Sequence, residues 1–203
     1  KVKKTKVKVI ENFVSKASIN VTKSKNIVRF LYVANFIEYK SHDKLIQMCS
    51  RIKVNKKWQL LLIGADRDGF KKKIQMQIKE LNLEKKIKIF NETKNLKSFY
   101  NSVDFAISTS AEEGSSNFLL ESISYGLPII AFDVGGNKKF FKNNGYLIES
   151  YNYESFREKI EQLIKQKDLK YLGKNSLKIC LERFDNIKSL EKYMSCYDAL
   201  LKN

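Results

Sequence analysis

The sequence has few residues of the kinds that form metal and disulfide sites, with one histidine and three cysteines among 203 residues. His42 has no second histidine, no Ser or Cys partner pattern and no metal-spaced ligands, so we expect it to begin a helix and not to act in catalysis. Cys49, Cys180 and Cys196 are odd in number and widely spaced, which argues against a disulfide framework. We expect them to be reduced, buried helix residues of a cytoplasmic protein.

Long apolar runs and repeats are also missing. The longest aliphatic run covers residues 60–63, which is far too short to span a bilayer, and no internal repeat or low-complexity linker is present. Hydrophobic residues make up 43% of the chain, enough for the core of one large or two small domains. The sequence begins with Lys1, so we expect it to be part of a longer protein.

The excess of positive charge is confined to one half of the chain. Residues 1–100 hold 25 Lys and Arg against 8 Asp and Glu, whereas residues 101–203 hold 14 of each. A basic surface can serve nucleic acid, an anionic membrane leaflet or phosphorylated substrates, or it can reflect a lysine-rich composition without a partner. The interleaved aromatic residues typical of RNA-binding surfaces are missing, so we expect no nucleic-acid partner.

The most informative stretch is residues 107–137, which predicts a strand, a loop, a helix and a second strand. The apolar run that ends at Ile107 is typical of a buried strand, and Ser116 or Asn117 is a favourable helix N-cap. Pro128 ends the helix and begins the next apolar strand. The helix start therefore faces the carboxyl end of a buried strand, where free backbone N–H groups favour a phosphate.

Two carboxylates accompany this predicted anion site. Glu121 follows Asn117 by four residues, so it shares a helix face with the helix start and its side chain leans toward that end. It can accept hydrogen bonds from ribose hydroxyls, as carboxylates do in dinucleotide-binding folds. Glu113, in the preceding loop, can reach a second polyhydroxyl group beyond the phosphates.

A family resemblance rests on these residues and on those that follow them. They are Glu113-Gly114, Glu121 after seven intervening residues, Tyr125-Gly126-Leu127-Pro128, and Asp133-Val134-Gly135-Gly136-Asn137. This pattern resembles the group 1 glycosyltransferases, which are retaining enzymes of the GT-B fold, and specifically their C-terminal, nucleotide-sugar-binding half.

The resemblance implies a role for each matching residue. Glu113 would contact hydroxyls of the donor sugar and Glu121 would bind the ribose. The amides after Gly114 would receive the diphosphate and sugar; they belong to Ser115, Ser116 and Asn117.

The loop after the first predicted strand contributes further candidates through the same resemblance. Where the family has a Gly-Arg pair, this sequence reads Ala34-Asn35, so one phosphate-binding cation is missing and Asn35 adds no charge. Lys40 matches the family lysine that grips the phosphates, and we assign it and Glu113 as the catalytic residues. Ile89 and Phe90, at the end of a short strand, would line the nucleobase.

Other stretches support one doubly wound α/β domain of Rossmann type over residues 1–203, with a terminal helix in 186–203. Residues 64–71 resemble a phosphate loop but carry Phe70 where that loop needs lysine, which excludes it. Alternating residues in 1–10 predict a short edge strand. Apolar residues of the terminal helix at helical spacing predict a core stripe, or a surface that another domain covers: Leu190, Tyr193, Tyr197 and Leu200.

These observations predict the donor-binding domain of a metal-independent glycosyltransferase, with no cofactor and with an N-terminal acceptor domain outside this sequence. Its partners would be a nucleoside diphosphate sugar, favourably a UDP-sugar, and a saccharide or lipid-linked acceptor of surface-glycan synthesis. We expect a cytoplasmic protein, and its basic half is compatible with a peripheral location at the inner, anionic face of the membrane. A GT-B epimerase or phosphorylase would share the site, and a nucleic-acid-binding domain would explain the charge but not the paired glutamates.

Overall fold

A computed structural model describes residues 7–15, 17, 19, 22 and 26–201 of the chain. Its centre is a parallel sheet of six strands. The strands are β1 Val28–Val33, β2 Trp58–Ile63, β3 Ile87–Phe90, β4 Phe105–Ser108, β5 Ile129–Phe132 and β6 Gly145–Ile148. Most of their residues are buried on both faces of the sheet, which explains why the strands read as nearly continuous apolar runs.

Seven helices connect and cover these strands in the part of the chain that the structure describes. They are α1 His42–Ser50, α2 Phe70–Glu80, α3 Lys97–Ser102, α4 Asn117–Ser124, α5 Tyr153–Lys165, α6 Lys170–Arg183 and α7 Asn186–Leu201. Three of them begin where the sequence predicted, at His42, directly after Ser116, and within 186–203. Short 3-10 turns occupy Glu38–Lys40 and Asn137–Phe140.

The strand order, β3-β2-β1-β4-β5-β6, confirms the predicted doubly wound fold. Strand β1 pairs along its whole length with β2, from Val28 opposite Trp58 to Val33 opposite Ile63, and on its other side with β4. Helix α1 contacts α2 and α5, whereas α4 contacts α6, as expected for helices on the two faces of one sheet. The order reverses between β1 and β4, and ligands of such folds bind in the crevice outside that point.

The predicted edge strand in 1–10 is wrong for residues 7–10, which form no strand, while 1–6 lie outside the described residues. Val7 and Val9 are 59% and 82% exposed, so their alternation with lysines buries no face. An alternating pattern produces a strand only where a neighbouring strand and a core receive it. The first sheet-like contact of this segment is a single bridge between Val14 and Asp185.

The apolar residues of α7 do not form a core stripe. Leu190, Tyr193, Tyr197 and Leu200 are all exposed, by between 38% and 73%. The other expectation for this helix, a surface left uncovered in this chain, is the one that the structure bears out. No helix in the described ranges is both long and apolar enough to cross a membrane.

The three cysteines are free. Cys49 in α1 and Cys180 in α6 are buried as predicted, and Cys196 in α7 is half-buried. Burial raises the pKa of the Cys49 thiol far above its ordinary value and that of Cys180 to about 11. Both thiols therefore stay protonated at neutral pH, as packing residues do.

Candidate functional site

A cavity of about 840 Å³ opens at the carboxyl edge of the sheet, beside the point where the strand order reverses. The loops that follow β1, β4 and β5 line it, together with one residue after β6. The lining residues are Tyr39, Lys40, Ala111, Glu112, Glu113, Gly114, Asp133, Val134, Gly135 and Ser150. The cavity thus contains one lysine and three carboxylates, and it brings together Lys40, Glu113 and Gly114 of the predicted site.

Buried hydroxyl groups hold the β1 loop against the β4 loop. The Tyr32 hydroxyl donates to the backbone carbonyl of Lys40 at 2.9 Å, and the Ser110 hydroxyl lies 2.9 Å from the same tyrosine oxygen. The Thr109 hydroxyl also donates to the Lys40 carbonyl, at 3.2 Å. Burial raises the pKa of Tyr32 far above its ordinary value, so this tyrosine remains a donor. These bonds fix the backbone from which the Lys40 side chain extends.

An ion pair crosses the cavity between the two loops. Lys40 Nζ lies 2.7 Å from Glu113 Oε1, and the two side chains are only 16% and 12% exposed. The pair joins the end of β1 to the end of β4, two strands that are neighbours only because of the strand order. The two residues that sequence analysis assigned to catalysis therefore meet at one point, although they are 73 positions apart.

The glycine pair after β5 lets a third loop approach this ion pair. Gly135 has a φ of 52°, and a Cβ atom on it would lie 1.4 Å from the Glu113 carbonyl oxygen. A Cβ on Gly136 would lie 2.5 Å from the Gly114 carbonyl oxygen. Any larger residue at either position would push the β5 loop away from the β4 loop. The pair is therefore a close-packing feature.

Helix α4 begins shortly after Gly114, the last residue of the β4 loop that lines the cavity. Ser116 is its N-cap, as predicted, and its hydroxyl accepts the Leu119 backbone N–H at 3.3 Å. Asn117 is exposed and its side-chain oxygen accepts from Asn12 at 2.9 Å, a contact from the first segment of the chain that the sequence analysis missed. The Ser115 hydroxyl is buried and has no hydrogen-bond partner among the described residues. The helix start thus presents polar groups of the kinds that bind anions.

Glu121 lies in the second turn of α4, outside the lining of the cavity, and is half-buried. Its carboxylate does not simply face solvent, because the Tyr100 hydroxyl donates to Oε2 at 2.7 Å. Sequence analysis did not find this tyrosine. Its only signal there was an aromatic residue in a short predicted helix.

The remaining predicted donor-binding residues lie apart from the cavity. Ile89 is half-buried and Phe90 is 37% exposed at the end of β3, where the Phe90 ring packs edge-on against Phe99 at 5.0 Å. Asn35 is exposed at the end of β1. The sequence analysis missed Phe99, which widens the apolar surface beside Phe90.

His42 is the first residue of α1, as predicted, and it is fully buried. Its ring lies 4.9 Å from Tyr32 and 4.6 Å from Phe36, and neither ring nitrogen has a hydrogen-bond partner among the described residues. Burial, with a smaller contribution from the charge of Lys40, lowers the pKa of His42 to about 3. The imidazole is therefore neutral beneath the β1 loop at neutral pH.

No three His, Cys, Asp or Glu side chains in the described parts of the chain are grouped as ligands of a metal ion. Glu113, one of the three carboxylates that line the cavity, is paired with Lys40. The cavity therefore offers one cation and three carboxylates, and the start of α4 follows its lining residue Gly114 in the chain.

Comparison with known proteins identifies the family of this arrangement. Amylovoran biosynthesis glycosyltransferase AmsD of Erwinia amylovora is 30% identical over 144 residues, which are 70% of this chain and 40% of that protein. A Campylobacter jejuni relative is 27% identical over 182 residues, 88% of this chain and 48% of its own. Its name is N-acetylgalactosamine-N,N'-diacetylbacillosaminyl-diphospho-undecaprenol 4-alpha-N-acetylgalactosaminyltransferase. The chain thus spans less than half the length of these curated relatives.

Solved structures agree with the sequence relatives. A substituted form of S. aureus TarM, solved with fondaparinux, alpha-GlcNAc-glycerol and UDP, matches with a TM-score of 0.80 and 25% identity. The match covers 92% of this chain and 38% of TarM, and the structural neighbours are glycosyltransferases of the GT-B fold. The family model of the glycosyl transferases group 1 matches residues 14–178, which include every predicted site residue. The chain therefore belongs to the group 1 glycosyltransferase family.

Proposed function

We propose that this chain is the donor-binding domain of a glycosyltransferase that moves a sugar, with retention, from a nucleoside diphosphate sugar to a saccharide or lipid-linked acceptor. The observation that carries the proposal is the Lys40–Glu113 ion pair, which lies beside the reversal point of the sheet. A diphosphate needs cationic and N–H groups, and a sugar needs a hydrogen-bonding carboxylate. The ion pair supports both needs with its cation and its carboxylate, and the α4 helix start follows Glu113 in the same loop.

Each group then has one task in transfer. Lys40 and the start of α4 stabilise the negative charge that develops on the leaving diphosphate. Glu113 orients the sugar through its hydroxyl groups, and Glu121 binds the ribose. Asn35 supplies no charge, and Lys40 is the single cation among the described residues that line the cavity, so its contribution should be unusually large.

We favour UDP as the nucleotide of the donor and a lipid-linked saccharide as one class of acceptor. The TarM structure contains UDP, and the name of the Campylobacter relative specifies an undecaprenol diphosphate acceptor. The chain aligns with less than half of each relative, so acceptor binding is assigned to other parts of the enzyme. Base contacts would come from Ile89 and Phe90.

The basic half of the chain supports a location at an anionic membrane face, where lipid-linked acceptors lie. Residues 1–100 carry a net charge of +17, and Lys72, Lys73 and Lys79 of α2 are exposed. Each lysine near an anionic surface contributes about 1 kcal/mol of attraction, which salt screens. The acidic and basic residues of 101–203 balance, so only one part of the surface would face lipid.

Calorimetric titration of the chain with UDP-glucose, GDP-glucose and ADP-glucose tests the donor-binding proposal. We expect one of them to bind with modest affinity, unchanged by EDTA, and Lys40→Met to weaken it by at least about tenfold because a charge-assisted bond is lost. Lys44→Met, a lysine of α1 outside that cavity, is the matched control and should bind normally. If none of the three sugar nucleotides binds, the proposal is overturned.

A further inference from the structure

Tyr100 links the base side of the site to the carboxylate assigned to the ribose. It lies in the short helix α3 and is 2% exposed, and its hydroxyl donates to Glu121 Oε2 at 2.7 Å. Sequence analysis assigned no role to this residue. A buried tyrosine hydroxyl needs a partner, and here the partner is a half-buried carboxylate of the proposed site.

The tyrosine ring is held from both ends of α4. It stacks on Tyr125 at 4.6 Å with the ring planes 13° apart, and it lies 6.4 Å from Phe118 at the start of the helix. Phe118, Glu121 and Tyr125 are three and four residues apart, so they share the helix face that the ring covers. The ring therefore cannot turn without leaving this face, and the hydroxyl has a fixed position.

The direction of the hydrogen bond is also fixed. Burial and the neighbouring Glu121 charge raise the pKa of Tyr100 well above its ordinary value, so the hydroxyl keeps its proton and donates. Oε2 is occupied by that bond, whereas no described residue donates to Oε1. The carboxylate thus keeps one oxygen free in a set orientation, where a flexible glutamate would sample several rotamers.

We infer that Tyr100 is the positioning residue of the ribose site: it aims Glu121 at the ribose diol and so selects ribonucleotides over deoxyribonucleotides. The inference rests on the proposed donor-binding function. A diol hydroxyl must meet an oriented acceptor to form a short charge-assisted bond, and an unconstrained carboxylate would lose part of that bond to rotamer entropy. Tyr100 also connects the proposed ribose contact with the proposed base contact, because the residue before it in α3, Phe99, packs against Phe90.

The test compares UDP, GDP and ADP with their 2′,3′-dideoxy forms, titrated calorimetrically against the chain. For the base that binds, the native chain should prefer the ribonucleotide, and Tyr100→Phe should reduce that preference by about tenfold while dideoxy binding is unchanged. A general packing defect would instead weaken both ligands equally. Tyr125→Phe is the matched control, because it removes a hydroxyl from the ring stacked on Tyr100 without touching the bond to Glu121.

Two further variants complete the test. Tyr100→Phe combined with Glu121→Gln should discriminate no worse than Glu121→Gln alone, because both changes act on one interaction. If Tyr100→Phe lowers the melting temperature too far to titrate, Glu121→Asp decides. It leaves Tyr100 in place but draws the carboxylate back by one methylene, and it should lose the same preference.

Two negative results have different meanings. A native chain that binds no nucleoside diphosphate would overturn the donor-binding function and the inference with it. A native chain that binds UDP, together with a folded Tyr100→Phe or Glu121→Asp variant of undiminished ribose preference, would overturn the inference alone.

Discussion

Neutralising Glu113 should have opposite effects on the two parts of the donor. The Glu113 carboxylate holds Lys40 at 2.7 Å, so an arriving diphosphate must compete with it for the one lysine that lines the cavity among the described residues. The carboxylate also repels the phosphates directly. Glu113→Gln removes both obstacles, and it equally removes the charged acceptor that the sugar hydroxyls would use.

The size of each effect follows from the geometry. At 2.7 Å the Coulomb attraction is on the order of 6 kcal/mol for an effective dielectric constant of about 20. Desolvation of the two groups in an open cavity leaves a net of about 1–2 kcal/mol. We therefore expect UDP to bind about fivefold more tightly to Glu113→Gln, which is about 1 kcal/mol. The contribution of the sugar should fall by about 1.5–3 kcal/mol, the value of hydrogen bonds to a charged group.

The assay is calorimetric titration with UDP and with UDP-glucose, UDP-galactose and UDP-N-acetylglucosamine. Glu112→Gln is the matched control: it removes the same charge from the lining of the same cavity, but Glu112 is exposed and makes no ion pair with any described residue. It should leave both affinities nearly unchanged. The reasoning is refuted if Glu113→Gln weakens UDP and UDP-sugars alike, or if Glu112→Gln strengthens UDP as much.

Three further predictions concern stability and surface charge. Gly135→Ala should lower the free energy of unfolding in urea by about 2 kcal/mol or more, because a Cβ would overlap the Glu113 carbonyl, whereas Gly114→Ala, with open space around it, should not. His42 binds a proton more readily in the unfolded chain than in the folded one, so the free energy of unfolding should fall as the pH drops from about 6.5 toward 3. The slope should reach about 1.4 kcal/mol per pH unit, and His42→Phe should reduce it. An equal slope in both proteins would contradict this. The chain should sediment with anionic vesicles and be released by salt, and equal binding to neutral vesicles would contradict the proposed membrane surface.

The fold could be predicted because its signals are local. Buried parallel strands are continuous apolar runs, and helices begin at capping residues, so Trp58–Ile63 and Asn117–Ser124 could be located from neighbours in sequence alone. The predicted strand is wrong over the described residues 7–10 for a complementary reason. The alternation of basic and apolar residues shows only which face a strand could bury. Whether a neighbouring strand is available depends on the rest of the chain.

The sequence indicates candidate site residues one by one, but it does not indicate which of them contact each other. Nothing in the spacing of Lys40 and Glu113 indicates that they pair, because the contact depends on β1 and β4 being neighbours. The hydrogen bond from Tyr100 to Glu121 joins residues in different helices, and it appears only when α3 packs on α4. Long-range contacts of this kind follow from topology, which local patterns restrict without determining.

The last prediction separates donor binding from transfer. The cavity lies at one edge of one sheet, with Lys40 and Glu113 along its lining, and the start of α4 and Glu121 follow in the same stretch of chain. We expect diphosphate and ribose to meet their partners on this one domain. Transfer needs more, because much of an enzymatic rate enhancement comes from holding both reactants together and excluding water, and a single lining does neither.

We therefore expect this chain to bind a nucleoside diphosphate sugar but to transfer its sugar to neither saccharide nor lipid-linked acceptors. Incubation with a radiolabelled donor, with and without EDTA, measures both properties at once. Transfer by this chain alone would show that it holds the acceptor as well, and donor binding that EDTA abolishes would show that a metal ion, and not Lys40 with the helix start, neutralises the diphosphate.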